Sequence, residues 1–153
     1  SEGITAYTID AGGDIRHRSR EEGTLSVGLE NPESADEGVG VAEIRNESIC
    51  GSAGNRRAWG TYHHIMNPFT LTSPHHIRAV WVVADTTFLA DMLTTALFFV
   101  TPDVLLPHYI FAYAILDQEG EMTCSLDFPG EFFTRTSLSP SPSSASGEER
   151  EYS

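Results

Sequence analysis

The chain contains no lysine. All nine of its basic residues are arginine, set against 22 aspartates and glutamates, for a net charge of −13 at pH 7. Nucleic-acid backbones and anionic membrane surfaces are poor partners for such a chain, because like charge repels over roughly 8–10 Å in ordinary salt. Cysteine is scarce as well. Cys50 and Cys124 are the two present, and neither stands in a CxxC pair. That excludes a disulfide framework and leaves two buried thiols as the simplest reading, with one disulfide as the alternative. No apolar run reaches the roughly 18 residues a membrane-crossing helix needs. No charged and then apolar leader opens the chain, so the compartment stays open.

What remains is 153 residues at 40% hydrophobic content, enough for one domain with a core of its own. Ala6–Gly13 alternates and stops on two glycines, as a strand entering a tight turn does. Gly23–Pro32 reads as a second strand, Glu30–Gly38 as an acidic surface loop, and Gly40–Gly54 as one or two strands ending in a small-residue loop. Ile77–Ala84, "IRAVWVVA", is β-branched and continuously apolar, the pattern of a buried strand. Thr86–Val100 is apolar on nearly every side, which predicts a buried helix, with Asp85 or Thr86 as its N-cap. Phe111–Asp117 and Met122–Phe128 frame the turn "QEGE" as a hairpin. The expected architecture is α+β, a mostly antiparallel sheet around one central buried helix. Residues 1–136 form the folded part, and the Ser/Pro-rich stretch 137–153 is read as a disordered tail.

Two features hold chemistry. Asp91 is the charged residue of the apolar helix, and Thr95 follows it by four, which places a carboxylate and a hydroxyl on one helix face. Such a pair can offer hard oxygens to Mg²⁺ or Ca²⁺, or it can be an acid near a helix start and a hydroxyl bonded to its own backbone. His63, His64, His75 and His76 surround an Asn-Pro turn. Four imidazoles could close a zinc site, one could serve as a base, or all could be structural. Adjacent histidines on a strand point to opposite faces, which works against the zinc reading.

Taken in order, "DAGGDI", "CGSAGNRRAW", "YHHIMNPFT" and "AVWVVADTTFLADMLTTALFF" resemble the ApbE family, the FAD:protein FMN transferases. The match runs from about Ile9 to Val100, with the C-terminal hairpin compatible. The resemblance implies a Mg²⁺-dependent enzyme that cuts the diphosphate of FAD, transfers FMN to a threonine or serine of an acceptor protein, and releases AMP. Carried over by position, Asp91 and Thr95 become metal ligands and His64 a candidate catalytic base beside the flavin nucleotide. Ile65 would line the nucleotide pocket, and Ser52 and Gly54 would belong to a close-approach loop. His63, His75 and His76 revert to structural roles. Asn67 stands where the family has Asp, Phe69 where it has Arg, and Leu71 where it has Gly; Ser52-Ala53 replaces Thr-Ser. Family members are about twice this length, and the opening "AYTIDAGGD" fits a C-terminal part whose partner is an N-terminal half or a second copy. The alternative is a non-catalytic remnant that binds nucleotide or metal.

Overall fold

Residues 79–84 alternate between two hydrophobic cores, and this double-sided burial explains why the segment carries no polar residue. The computed structural model describes residues 3–21, 23–54, 58–59, 62–63, 65–133 and 136–139. In chain order the elements are β1 (Tyr7–Asp10), β2 (Ile15–Arg18), β3 (Leu25–Asn31), β4 (Ser34–Ile44), β5 (Ser48–Ala53), β6 (Ala58–Trp59), β7 (Tyr62–His63) and β8 (Ile77–Ala84). There follow α1 (Thr87–Ala96), α2 (Pro102–Leu105), β9 (Ala112–Asp117), β10 (Met122–Ser125), β11 (Gly130–Phe132) and β12 (Thr136–Ser139).

A seven-stranded sheet runs β1-β2-β5-β8-β9-β10-β12, with β11-β4-β3 as a separate three-stranded sheet. Pairs within the large sheet are antiparallel except β10 with β12, which is parallel. Ala79, Trp81 and Val83 of β8 join Leu29, Ala42 and Ile44 in the core between the two sheets. Val80, Val82 and Ala84 join Ala90, Leu93, Leu97 and Phe98 in the core under α1. The result is three layers: helix, seven-stranded sheet, three-stranded sheet. Burying each large side chain of this kind contributes about 1.5–3 kcal/mol. Cys50 lies in the helix-side core and Cys124 in the other, so the sheet separates the two free thiols.

The α+β class and the antiparallel sheet are as expected, and Thr86 is indeed the N-cap, its Oγ1 accepting from the Leu89 amide at 3.2 Å. The helix itself differs from the sequence reading. It ends at Ala96 and buries Ala90, Leu93 and Thr94 on one side. Phe88, Asp91 and Thr95 are exposed. A helix lying on one face of a sheet is covered along a single stripe, so apolar content alone overstates its burial. The acidic stretch at 30–38 is a strand as well. The chain turns over Pro32-Glu33, with Asn31 Oδ1 accepting from the Glu33 amide at 3.0 Å, and β4 begins at Ser34. Its charges line the solvent side of the pairing with β3. Strand pairing also reaches Ser139, past the expected start of the tail at 137.

Candidate active site

Ser52 was expected in a small-residue loop. It stands instead in β5, opposite Val80 of β8, and the strand ends only at Ala53. Gly54 then turns the chain, its amide donating to the Arg78 carbonyl at 3.0 Å. Small residues are needed here because the strand is crowded on both sides. A Cβ on Gly51 would come within 2.9 Å of Trp81 Cδ1. On the other side, the hydroxyls of Ser52 and Thr94 are 3.0 Å apart, and those of Ser48 and Thr87 are also 3.0 Å apart. Cys50, between them, points its Sγ at the Thr87 carbonyl, 3.6 Å away. Thr94 Oγ1 also donates to the Asp91 carbonyl at 2.7 Å. Three successive helix-facing side chains of β5 therefore fix the position and rotation of α1, and with them the outward face that carries Asp91 and Thr95.

Asp14, just before β2, is a neighbour that local sequence reading does not single out. Ile15 pairs with Ile49 and Arg16 with Ser48, so one further step along the ladder sets Asp14 beside Cys50, on the helix side of the sheet. Arg16, on the same side, donates to the Asp85 carbonyl just before α1. Burial, then the charge of Asp14 and a hydrogen bond to its carboxylate, and lastly the charge of Asp91 push the Cys50 thiol far above its usual range. The Asp91 carboxyl is raised as well, by burial first and by the negative charge of Asp14 second. Asp14 and Asp91 are thus close enough for their negative charges to act on one another. The "GGD" of the β1–β2 turn was the available signal, but it acquires meaning only through the β2–β5 register.

Ile65 is buried in the helix-side core. His64 lies outside the described residues. Asn67 closes its turn as a capping side chain, Oδ1 accepting from the amides of Phe69 at 2.9 Å and Thr70 at 3.3 Å. Asparagine therefore fulfils the turn role of the aspartate that the resemblance leads one to expect. Leu71 sits at φ 55, in the left-handed region that disfavours residues with a Cβ, and is largely exposed. Leu71→Gly is expected to stabilise the fold by about 0.5–1 kcal/mol, the relief of left-handed strain less the added chain entropy of glycine. Urea denaturation checks it, and an unchanged or lowered midpoint would refute the strain. His75 and His76 are exposed, and among the described residues no group of three or more His, Cys, Asp or Glu could hold a metal ion.

On the far side of the sheet, a groove of about 1070 Å³ opens between β3 and the β1–β2–β5 end of the large sheet. Asp10, Gly12, Leu25, Val27, Ile49 and Trp81 are among its walls.

Residues 1–108 match the model of the ApbE family. The chain belongs to the ApbE family. Among solved structures, an ApbE protein from Thermotoga maritima superposes with a TM-score of 0.67 at 21% identity, over 76% of this chain and 41% of its own. The flavin transferase ApbE of Vibrio cholerae does so with 0.59 at 18%, over 88% and 43%. The flavinyl transferase ApbE of Pseudomonas stutzeri gives 0.56 at 21%, over 77% and 41%. The chain thus spans less than half the length of these solved relatives, and at such identities the likeness is one of fold. No curated protein matches it. Within this ApbE fold, β5 and β8 both pack against the helix bearing Asp91 and Thr95.

Proposed function

We propose that this chain forms part of a flavin transferase that moves FMN from FAD to a threonine or serine hydroxyl of an acceptor protein. In this reaction the hydroxyl oxygen bonds to the phosphorus of the FMN unit. The P–O bond to the AMP side breaks, AMP leaves with that electron pair, and the hydroxyl proton passes to a base. The observation that carries the reading is the placement of Asp91 and Thr95 together on the exposed face of a helix anchored from below, in a chain of the ApbE family.

The donor set fits Mg²⁺. Asp91 and Thr95 offer hard oxygens, and Mg²⁺ is commonly held by one or two carboxylates while waters and substrate phosphates complete its shell. When bound, the ion would offset the negative charge of the diphosphate. Asp91 and Thr95 are the residues that would hold the ion and so supply that charge. Ile65, packed in the core, fixes the segment from which the adjacent His64 would take the proton. Ser52, bonded to Thr94, supports the helix from the sheet, and Gly54 closes the end of the strand against Arg78. FAD and an acceptor protein with an exposed threonine or serine are the partners this reading requires, together with a second polypeptide, an N-terminal half or another copy, to complete the site.

The test is AMP release from FAD by the chain, with and without Mg²⁺, beside Asp91→Ala. Release that depends on Mg²⁺ and falls about a hundredfold or more in the variant is the expected result, of the size seen when one preorganised charge contact is removed. An Asp91→Ala variant that releases AMP as fast as the parent overturns the assignment.

A further inference from the structure

We infer that the groove beside β3 is a strand-docking site, which takes an extended, basic, alternately apolar segment of a separate polypeptide. It opens on the face of the large sheet opposite α1, so it does not depend on the reading of Asp91 and Thr95. The small sheet has three strands and ends at β3, which pairs with β4 alone among the described residues. Leu25–Leu29 pair with β4 in unbroken register, and irregularities begin only after Leu29. Five residues of regular strand therefore present one unpaired backbone edge. Every residue from Leu25 to Pro32 lines the groove. Side chains of a strand alternate between faces, so an unbroken run of lining residues means that β3 stands edge-on to the groove. The core between the sheets is also incompletely covered there. Ile15, Leu25, Val27 and Ala53, all on the groove, pack against that core and stay only half-buried.

The lining decides the occupant. Asp10 and Glu30 are among the walls, and no lysine, arginine or histidine is. The Asp10 carboxylate is held in its turn, its Oδ1 accepting from the Gly13 amide at 2.9 Å. A second copy of this chain, at −13, would bring like charge to that rim, whereas a segment with basic residues at its ends is drawn to it. The free edge favours a polypeptide over a small apolar molecule, which would cover the N–H and C=O groups of β3 without bonding them. An added strand bonds them, and its alternate side chains would lie over Ile15, Ile49 and Trp81. Main-chain pairing would supply the affinity, and the acidic rim the choice of partner.

The probe is a dye-labelled synthetic peptide, Arg-Val-Thr-Val-Thr-Val-Arg, blocked at both ends. Beside it stand a form with glutamate for both arginines and a form with proline for the central valine. Fluorescence anisotropy reads binding to the wild-type chain, amide exchange reads β3, and sedimentation reads the oligomeric state. The basic peptide should bind saturably and about tenfold more tightly than the acidic form. The proline form, which lacks one backbone donor, should lose about tenfold. Alternate amides within Leu25–Leu29 should slow their exchange when the basic peptide is bound, the signature of a strand paired on its free edge. Asp10→Asn, which keeps an oxygen for the Gly13 amide, and Glu30→Gln should each weaken the basic peptide about two- to fivefold. No saturable binding of the basic peptide would overturn the proposal. So would equal binding of the proline form, which would mean apolar uptake without strand pairing, or equal binding of the acidic form. A wild-type dimer whose alternate β3 amides are already protected would give the groove to a second copy and overturn it as well.

Discussion

Phe98→Ala is expected to cost about 3–5 kcal/mol of folding stability, the range for emptying a buried phenylalanine site. Phe98 is fully buried one residue beyond the C-cap of α1, and its amide still donates to the Thr95 carbonyl at 3.2 Å. It shares a core with Phe111 and Tyr113, whose rings lie 6.0 Å apart, and with Leu93 and Leu97 above the central strands. A domain of this size has only about 5–15 kcal/mol in total, so the variant should sit close to unfolding. The effect should also reach the site. A helix of ten residues is marginal without packing, and its last turn is the one that holds Thr95. The urea midpoint and the cation affinity should therefore fall together. A loss under about 1 kcal/mol would mean that Phe98 does not fill the space the structure assigns to it.

Gly51→Val should be the next most damaging change, and it separates two ways of reasoning. Strand propensity alone says valine is the better residue in a central strand. Packing says otherwise. The added Cβ would lie 2.9 Å from Trp81 Cδ1 and 3.1 Å from Nε1, and the indole, itself buried, cannot swing clear. Overpacking of this kind costs about 1–3 kcal/mol, and the two extra methyl groups place valine at the upper end. Gly51→Val combined with Trp81→Leu should be less destabilised than the sum of the single changes, since the clash requires both partners. A neutral or stabilised Gly51→Val, or strict additivity in the double variant, would show that the close contact is not what keeps glycine there.

These two positions also mark how far the sequence could be read. Ile77–Ala84 and the hairpin around Gly120 were legible because their signals are local: a continuous apolar run, and a turn glycine at φ 81 between two apolar stretches. The N-cap at Thr86 and the Asn67 turn were legible for the same reason, being set by side chains bonding to backbone two or three residues away. Cys50–Ala53, the end of β5, was not. Its small residues look like a loop, and the indole and helix that require them belong to other parts of the chain. Ser34–Gly38, the first part of β4, was masked by acids, which report solvent exposure and say little about backbone pairing. Of the site, the Asp91–Thr95 pair follows from helical spacing, and the family resemblance gives it meaning. The approach of Asp14 needed the β2–β5 register and the seating of α1, both long-range in sequence. His64 lies outside the described residues, so its role rests on the motif.

The order of the seven-stranded sheet bears on how the molecule assembles. Its strands lie side by side in the same sequence as along the chain, and the β3–β4 hairpin and the helices are excursions between neighbours. No strand has to be threaded between two already paired, so the sheet can grow outward one edge at a time from its apolar middle. Closing each excursion costs entropy that rises only slowly with loop length, about 0.6 kcal/mol per doubling. The β8–β9 pair and the helix that packs on β8 form a natural nucleus. Tyr7–Asp10, on the outer edge and largely exposed, should join late and open first, so amide exchange should be quickest at that end of the ladder. Asp14 stands where this late edge meets the early helix, so the second carboxylate arrives only when the fold is nearly complete.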